Sequence, residues 1–125
     1  MLRAPLSFPR SFLPAHALRR CFASTSAAHE QFVIIARDGA DPKAFERRMA
    51  IRPAHLAGVK KLKAAGQVVL GGAIIGDESK MVGSVMVVDM PTKEAVEQYI
   101  KSDPYVKHGV WTKWEILPFK PAALD

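Results

Sequence analysis

The stretch QVVLGGAIIGDESKMVGSVMVVDM, residues 67–90, holds two runs of β-branched and other apolar residues on either side of the polar turn GDES. Runs of this length and composition, separated by Gly, Asp and Ser, read as antiparallel strands at 67–75 and 81–90 joined by a hairpin connection at 76–79. What covers such a hairpin must come from its flanks. On the N-terminal side, residues 43–65 read as helical and stop at Gly66, and before them lie the turn DGADP (38–42) and the short β-branched run QFVIIAR (31–37). On the C-terminal side, Thr92 suits a helix N-cap, and Ala95, Val96, Tyr99 and Ile100 form one apolar face of a helix reaching about Lys101. VWTKWEILPF (110–119) then closes as a fourth strand. The order βαββαβ predicts an α+β, ferredoxin-like fold with a four-stranded antiparallel sheet.

Helices cover only one face of such a sheet. Yet FVIIA, VVL, VMVV and ILPF are apolar at consecutive positions, where a solvated face would alternate. The second face therefore needs a cover, and a second copy of the same sheet predicts a homodimer packed through the open sheet face.

Residues 1–29 carry Arg3, Arg10, Arg19 and Arg20, interspersed Ser, Thr, Leu and Phe, and no acid before Glu30. That is the composition of a mitochondrial transit peptide, and RRCF followed by AST places the expected cut between Phe22 and Ala23, with the matrix as destination. A basic tail that is never cleaved is the plainer alternative. Pro5, Pro9, Pro14 and the arginines interrupt every apolar run. No stretch here approaches the ~20 residues that span a bilayer, so no membrane partner is expected.

The leader also dominates the charge. The whole chain is +6, but removing the four leader arginines from 18 basic residues leaves 14 against 12 acids, or +2 for residues 23–125. The basic pI is thus no argument for a nucleic-acid partner. Nor do the first and third strands offer the aromatic and basic pattern of an RNA-binding sheet. The one cysteine, Cys21, lies in the leader. The rest, a domain at 30–120 and a short tail at 121–125, has no thiol chemistry.

Within IRPAHLAGVKK (51–61), Pro53 suits the first position of a helix and Arg52, preceding it, is biased toward extended backbone. This predicts two helices with a joint at 51–52. His55 would then lie on a first turn, within about 40° of Val59 and about 20° of Leu62, and point inward. A helix N-terminus disfavours imidazolium, which favours a neutral ring able to act as a base. In SDPYVKHG (102–109), Asp103 before Pro104 suits the cap of a short helical turn that Gly109 ends. Trp111 and Trp114, three apart on a strand, are expected to face opposite sides. KKLK (60–63) reads as a solvated helix side. The histidines have no ligand-like spacing with acids, so neither a metal nor a cofactor is expected.

Taken together, RPAHL (52–56), GG (71–72), SDPYVKHGV (102–110) and WEILPFK (114–120) resemble the YCII-related family of small dimeric α+β barrel proteins. The resemblance covers about residues 30–120. It implies a ferredoxin-like dimer whose active-site pocket pairs a histidine, here His55, with an aspartate, here Asp103. Ala73 stands where the family commonly has proline after the glycines, so the pocket wall differs here.

Such a pair permits general acid–base catalysis: the carboxylate sets the imidazole tautomer and stabilises the imidazolium formed on proton abstraction. No serine or cysteine sits in a nucleophile motif. The expected chemistry is isomerisation, elimination or hydrolysis on a small organic ligand. By analogy of fold alone, α+β barrel enzymes include lactone isomerases and a dehydrochlorinase. Gly71 and Gly72 would let a ligand approach the backbone, or else mark a bulge. Arg52 and Tyr105 would orient a carboxylate or hydroxyl on the ligand, although Arg52 suits a surface ion pair equally well. A non-enzymatic metabolite-binding or protein-interaction module of the same fold is the alternative.

Overall fold

The computed structural model describes residues 30–124. In it, β1 (Glu30–Asp38) leads into α1 (Ala44–Ala64), β2 (Val68–Ile75), a 3₁₀ turn (Asp77–Ser79), β3 (Met81–Met90), α2 (Lys93–Ser102), the short α3 (Pro104–Lys107) and β4 (Trp111–Phe119). The basic leader, Cys21 and the expected cut lie outside the described residues. The strands form one sheet in the order β2-β3-β1-β4 with every neighbouring pair antiparallel. This is the ferredoxin-like α+β arrangement that the order of segments predicts.

Local chemistry sets most element ends. Thr92 Oγ1 accepts the Ala95 N–H at 3.1 Å and opens α2. Gly66, at φ +79°, turns the chain out of α1, so that its own N–H reaches the Lys63 carbonyl and that of Gln67 reaches Leu62. An L side chain is disfavoured in that conformation.

The expected joint at 51–52 is absent. Helix α1 runs unbroken from Ala44 to Ala64 with Pro53 inside it. An interior proline costs about 3 kcal/mol because one backbone hydrogen bond is lost and the ring crowds the carbonyl four residues back. Two features make this tolerable. The affected carbonyl belongs to Met49, on an exposed stretch where water can take the place of the missing N–H. On either side of Pro53, buried side chains tie the helix down: Arg48 to Asp38 and Ser84, and His55 to Asp103. His55 therefore lies in the middle of a long helix rather than on its first turn, away from that helix's own N-terminus.

The core lies between the helices and one face of the sheet. It is built from Phe32, Ile34 and Ala36 of β1, Met86, Val88 and Met90 of β3, Val96 and Ile100 of α2, and Tyr105, Val110 and Trp111. Trp111 and Trp114 do not face opposite sides. The register shifts between Arg37 and Asp38, so that Lys113 opposes Arg37 while Trp111 opposes Asp38 and Thr112 is the extra residue. A bulge of one residue resets the alternation. Trp114 thereby opposes Ala36, on the helix-covered face that also takes Trp111. Trp111 is buried there; Trp114, beyond the helices' cover, is exposed.

Register puts Val33 beside Val87 and Leu117, and Ile35 beside Val85, on the other face. Leu70 and Val87 are likewise partners. Among the described residues nothing covers this apolar surface, and Leu117 and Phe119 at its edge are 43% and 40% exposed.

Candidate active site

Helices α2 and α3 meet at Asp103, which has the extended backbone (φ −72°, ψ 135°) that a residue before proline prefers. Its Oδ1 accepts the Tyr105 N–H at 2.9 Å, so the capping expected for this residue takes place. The same carboxylate also receives a side chain from each of two helices. His55 Nδ1, from α1, lies 2.8 Å from Oδ1 and 3.0 Å from Oδ2, and Tyr99 Oη, from α2, donates to Oδ2 at 2.5 Å. Both His55 and Asp103 are buried, at 6% and 3% exposure.

A carboxylate only accepts, so Nδ1 of His55 carries the hydrogen, and in the neutral ring Nε2 is the nitrogen with the free lone pair. The ring is held on its face as well. Tyr105 stacks on it with centroids 3.9 Å apart and planes 13° from parallel, and Trp111 meets it edge-on at 5.5 Å. Burial first, then the negative charge of Asp103 and the hydrogen bond to it, push the Tyr99 phenol well above its ordinary value. Tyr99 therefore remains a hydrogen-bond donor to Asp103 under any physiological condition.

Beside this trio lies a second buried polar group. Arg48 Nη1 donates to both oxygens of Asp38 at 2.9 and 3.1 Å, and Nη2 donates to Ser84 Oγ at 2.9 Å. Trp111 Nε1 donates to that same oxygen at 3.2 Å. The Arg48 guanidinium carbon lies 4.8 Å from the centre of the Tyr105 ring. Arg48 and Asp38 side chains are each 3% exposed. Burial raises the Asp38 carboxyl despite the opposing pull of Arg48.

These elements enclose a cleft of about 380 Å³ between α1 and the β2 edge of the sheet. Arg52, His55, Gly71, Gly72 and Tyr105 all line it, with Ala73 beside the glycines. Asp103 stands behind His55, in contact with the ring rather than with the cleft. The register irregularities of β2 fall at Val68/Leu70 and Ile74/Ile75, not at the glycines, so Gly71 and Gly72 pair regularly with Met86 and Val85. Neither is needed for a bulge. Arg52 makes no ion pair among the described residues, so the surface pairing that competed with a ligand role is not seen.

Several residues of the site escape a reading of the sequence alone. Tyr99 reads as part of an apolar helix face, yet it stands four residues before Asp103, a spacing that places two helical side chains together. Arg48 is one turn before Arg52 on the same helix, and only the fold shows that its partners are Asp38 and Ser84. Among the described residues, no three His, Cys, Asp or Glu side chains converge as metal ligands. None of the described helices is long and apolar enough to cross a membrane.

Residues 31–120 match the YCII-related domain. The chain belongs to the YCII-related family. Protein YciI of Escherichia coli O6:H1 is 33% identical over 95 residues, covering 71% of this chain and 95% of that protein. The derivative of benzaldehyde biosynthesis cluster protein C from Emericella nidulans is 38% identical over 77 residues, or 56% of this chain and 79% of that one. Among solved structures, the 5-chloro-2-hydroxyhydroquinone dehydrochlorinase TftG of Burkholderia phenoliruptrix AC1100, in complex with 2,5-dihydroxybenzoquinone, is similar at a TM-score of 0.65 and 26% identity. That match covers 74% of this chain and 95% of TftG.

Proposed function

We propose that this YCII-related protein is a homodimeric mitochondrial enzyme that moves a proton on a small organic metabolite, with His55 as general base and then acid. One observation carries the reading: a buried imidazole whose Nδ1 is held 2.8 Å from a carboxylate while the ring lines a cleft of ligand size. In the proposed step the Nε2 lone pair takes a proton from an acidic C–H or O–H of the ligand. Asp103 stabilises the imidazolium that results, and the ring then returns the proton elsewhere on the ligand or to a leaving group or water. Isomerisation and elimination share this course; in hydrolysis the same nitrogen would take the proton from an attacking water and give it to the leaving group, and none of the three calls for a resident cofactor. Proton transfer of this kind supplies roughly 10²- to 10⁴-fold of rate. Arg52 and Tyr105 orient the ligand, and the side-chain-free wall at Gly71 and Gly72 leaves it room.

The likeness to a dehydrochlorinase bound to a hydroxylated quinone supports a small ring as the ligand and elimination as the reaction type. The composition of residues 1–29 supports mitochondrial import. The uncovered apolar sheet face supports the homodimer, and it is also the feature that favours the rival reading of a binding or interaction module.

Turnover separates the two readings. Small lactones, hydroxyquinones and keto acids are offered to the purified protein and to His55→Gln. The enzyme reading expects turnover of at least one compound and its loss by at least about a hundredfold in the variant, with binding retained. Equal activity in both proteins removes His55 as the base; tight binding without turnover in either favours the binding module.

A further inference from the structure

Polar groups around the cleft are unevenly satisfied. Asp103 is saturated by His55, Tyr99 and the Tyr105 N–H, and Ser84 Oγ accepts from both Arg48 and Trp111. Tyr105 differs. It is fully buried and lines the cleft, yet among the described residues its hydroxyl oxygen has no hydrogen-bond partner, and neither has Nε of Arg48. Leaving such a group unpaired costs about 1–3 kcal/mol, and folded chains rarely do so. Packing alone would be served by phenylalanine.

An acceptor oxygen would answer either unpaired atom. Arg48 Nε–H is a donor only. Burial pushes the Tyr105 phenol up, so this hydroxyl keeps its hydrogen and can donate it, while its oxygen can also accept. Net charge around the cleft has the same sense. Arg48, Arg52 and Lys63 line it and, among the described residues, no carboxylate does. Asp38 neutralises Arg48 at 2.9 Å, but Arg52 makes no ion pair among the described residues. Both guanidiniums act electrostatically on the Tyr105 phenol, which puts that hydroxyl within their field. The other walls are apolar, from Leu56, Val59, Val68 and Met86, and the volume suits one small ring.

We propose that the cleft takes a small planar organic anion, either a carboxylate or an acidic enol, with an acceptor oxygen on the Tyr105 hydroxyl and its negative charge against Arg52. The proposal deepens the acid–base reading and rests on it for which end of the ligand reacts at His55. Binding of the anion is nevertheless measurable without turnover. Arg52 and Tyr105 then set specificity, because a neutral ligand leaves the donors of this subsite unanswered.

Three ring compounds of similar size test it by calorimetric titration: 2,5-dihydroxybenzoquinone as an acidic enol, gentisate as a carboxylate, and hydroquinone as the neutral reference. The expected result is that at least one anion binds about tenfold or more tighter than hydroquinone, and the tighter of the two identifies the acid class. Arg52→Gln is expected to close that gap to about twofold, and Tyr105→Phe to weaken the favoured anion about fivefold or more without lowering the melting temperature. The proposal is overturned if hydroquinone binds as well as both anions, if neither anion binds, or if the gap survives Arg52→Gln. It is equally overturned if Tyr105→Phe stabilises the fold while anion affinity stays the same, since the hydroxyl is then a packing defect only. The same titrations in His55→Gln keep the two readings apart: an Arg52-dependent anion preference there stands even if no compound is turned over.

Discussion

Tyr99 donates its hydroxyl hydrogen to Oδ2 of Asp103 at 2.5 Å, on the carboxylate whose Oδ1 faces His55 Nδ1 at 2.8 Å. The phenol thus braces the acid from α2 while the imidazole meets it from α1. Tyr99 does not line the cleft, so it is a positioning residue. Replacing it with phenylalanine removes one hydrogen bond to a buried carboxylate and leaves the ring's packing in place. Tyr99→Phe is expected to cost about 1.5 kcal/mol of stability and to lower kcat about tenfold with KM unchanged. Denaturant titration and steady-state kinetics check both. A variant that loses stability but keeps kcat shows that the brace serves the fold alone.

Arg48 and Asp38 form an ion pair whose side chains are both 3% exposed, beneath the tyrosine that stacks on His55. Removing one charge leaves the other buried and alone. Arg48→Leu is expected to destabilise by about 3–5 kcal/mol, and adding Asp38→Leu to recover part of that loss, because the unpaired carboxylate causes most of it. Urea unfolding of the two single variants and the double variant measures this. Equal and additive losses contradict it.

The Tyr99 and Tyr105 phenols are both raised, chiefly by burial, from the ordinary value of 10.0. Above that value the unfolded chain has released its phenolic protons while the folded chain still holds these two, so unfolding releases protons. Stability is therefore complete below about pH 10 and falls as pH rises beyond it. Melting temperatures in a series from about pH 8 to 11 should drop at the alkaline end. Tyr99→Phe should flatten the drop, and an identical profile in that variant shows that other groups cause the alkaline loss.

Ile35 lies on the uncovered sheet face, opposite Val85 of β3 and Glu115 of β4. If a second copy packs there, a lysine at this position puts a charge into the interface and a solvated one on the monomer. Light scattering on a sizing column is expected to give twice the subunit mass for the native protein and one subunit mass for Ile35→Lys, with the circular dichroism of the two alike. A native monomer removes the dimer from the proposal.

Much of the fold can be read from local signals. β-Branched runs mark the strands, Thr92 and Asp103 cap α2 and α3 through their own side chains, and Gly66 turns the chain after α1. Each involves residues a few positions apart, so sequence spacing is a fair guide to contact. Two expectations fail where distant residues intervene. The break at Pro53 is overridden by ties from Arg48 to Ser84 and from His55 to Asp103, which span 36 and 48 positions. The alternation of Trp111 and Trp114 is reset by a bulge opposite β1, a matter of cross-strand register that no strand carries alone.

By itself, then, the amino-acid sequence determined the order of elements, the apolar character of both sheet faces, the cap at Asp103 and the presence of a histidine on the inward side of a helix. The tertiary structure alone decided that the cap carboxylate is also the histidine's partner, that Tyr99 shares it, and that the Tyr105 phenol and the Arg48 and Arg52 guanidiniums border one cleft. Periodicity and capping report each residue's relation to its own segment. A site is made of relations between segments, and those exist only once the sheet and helices have packed.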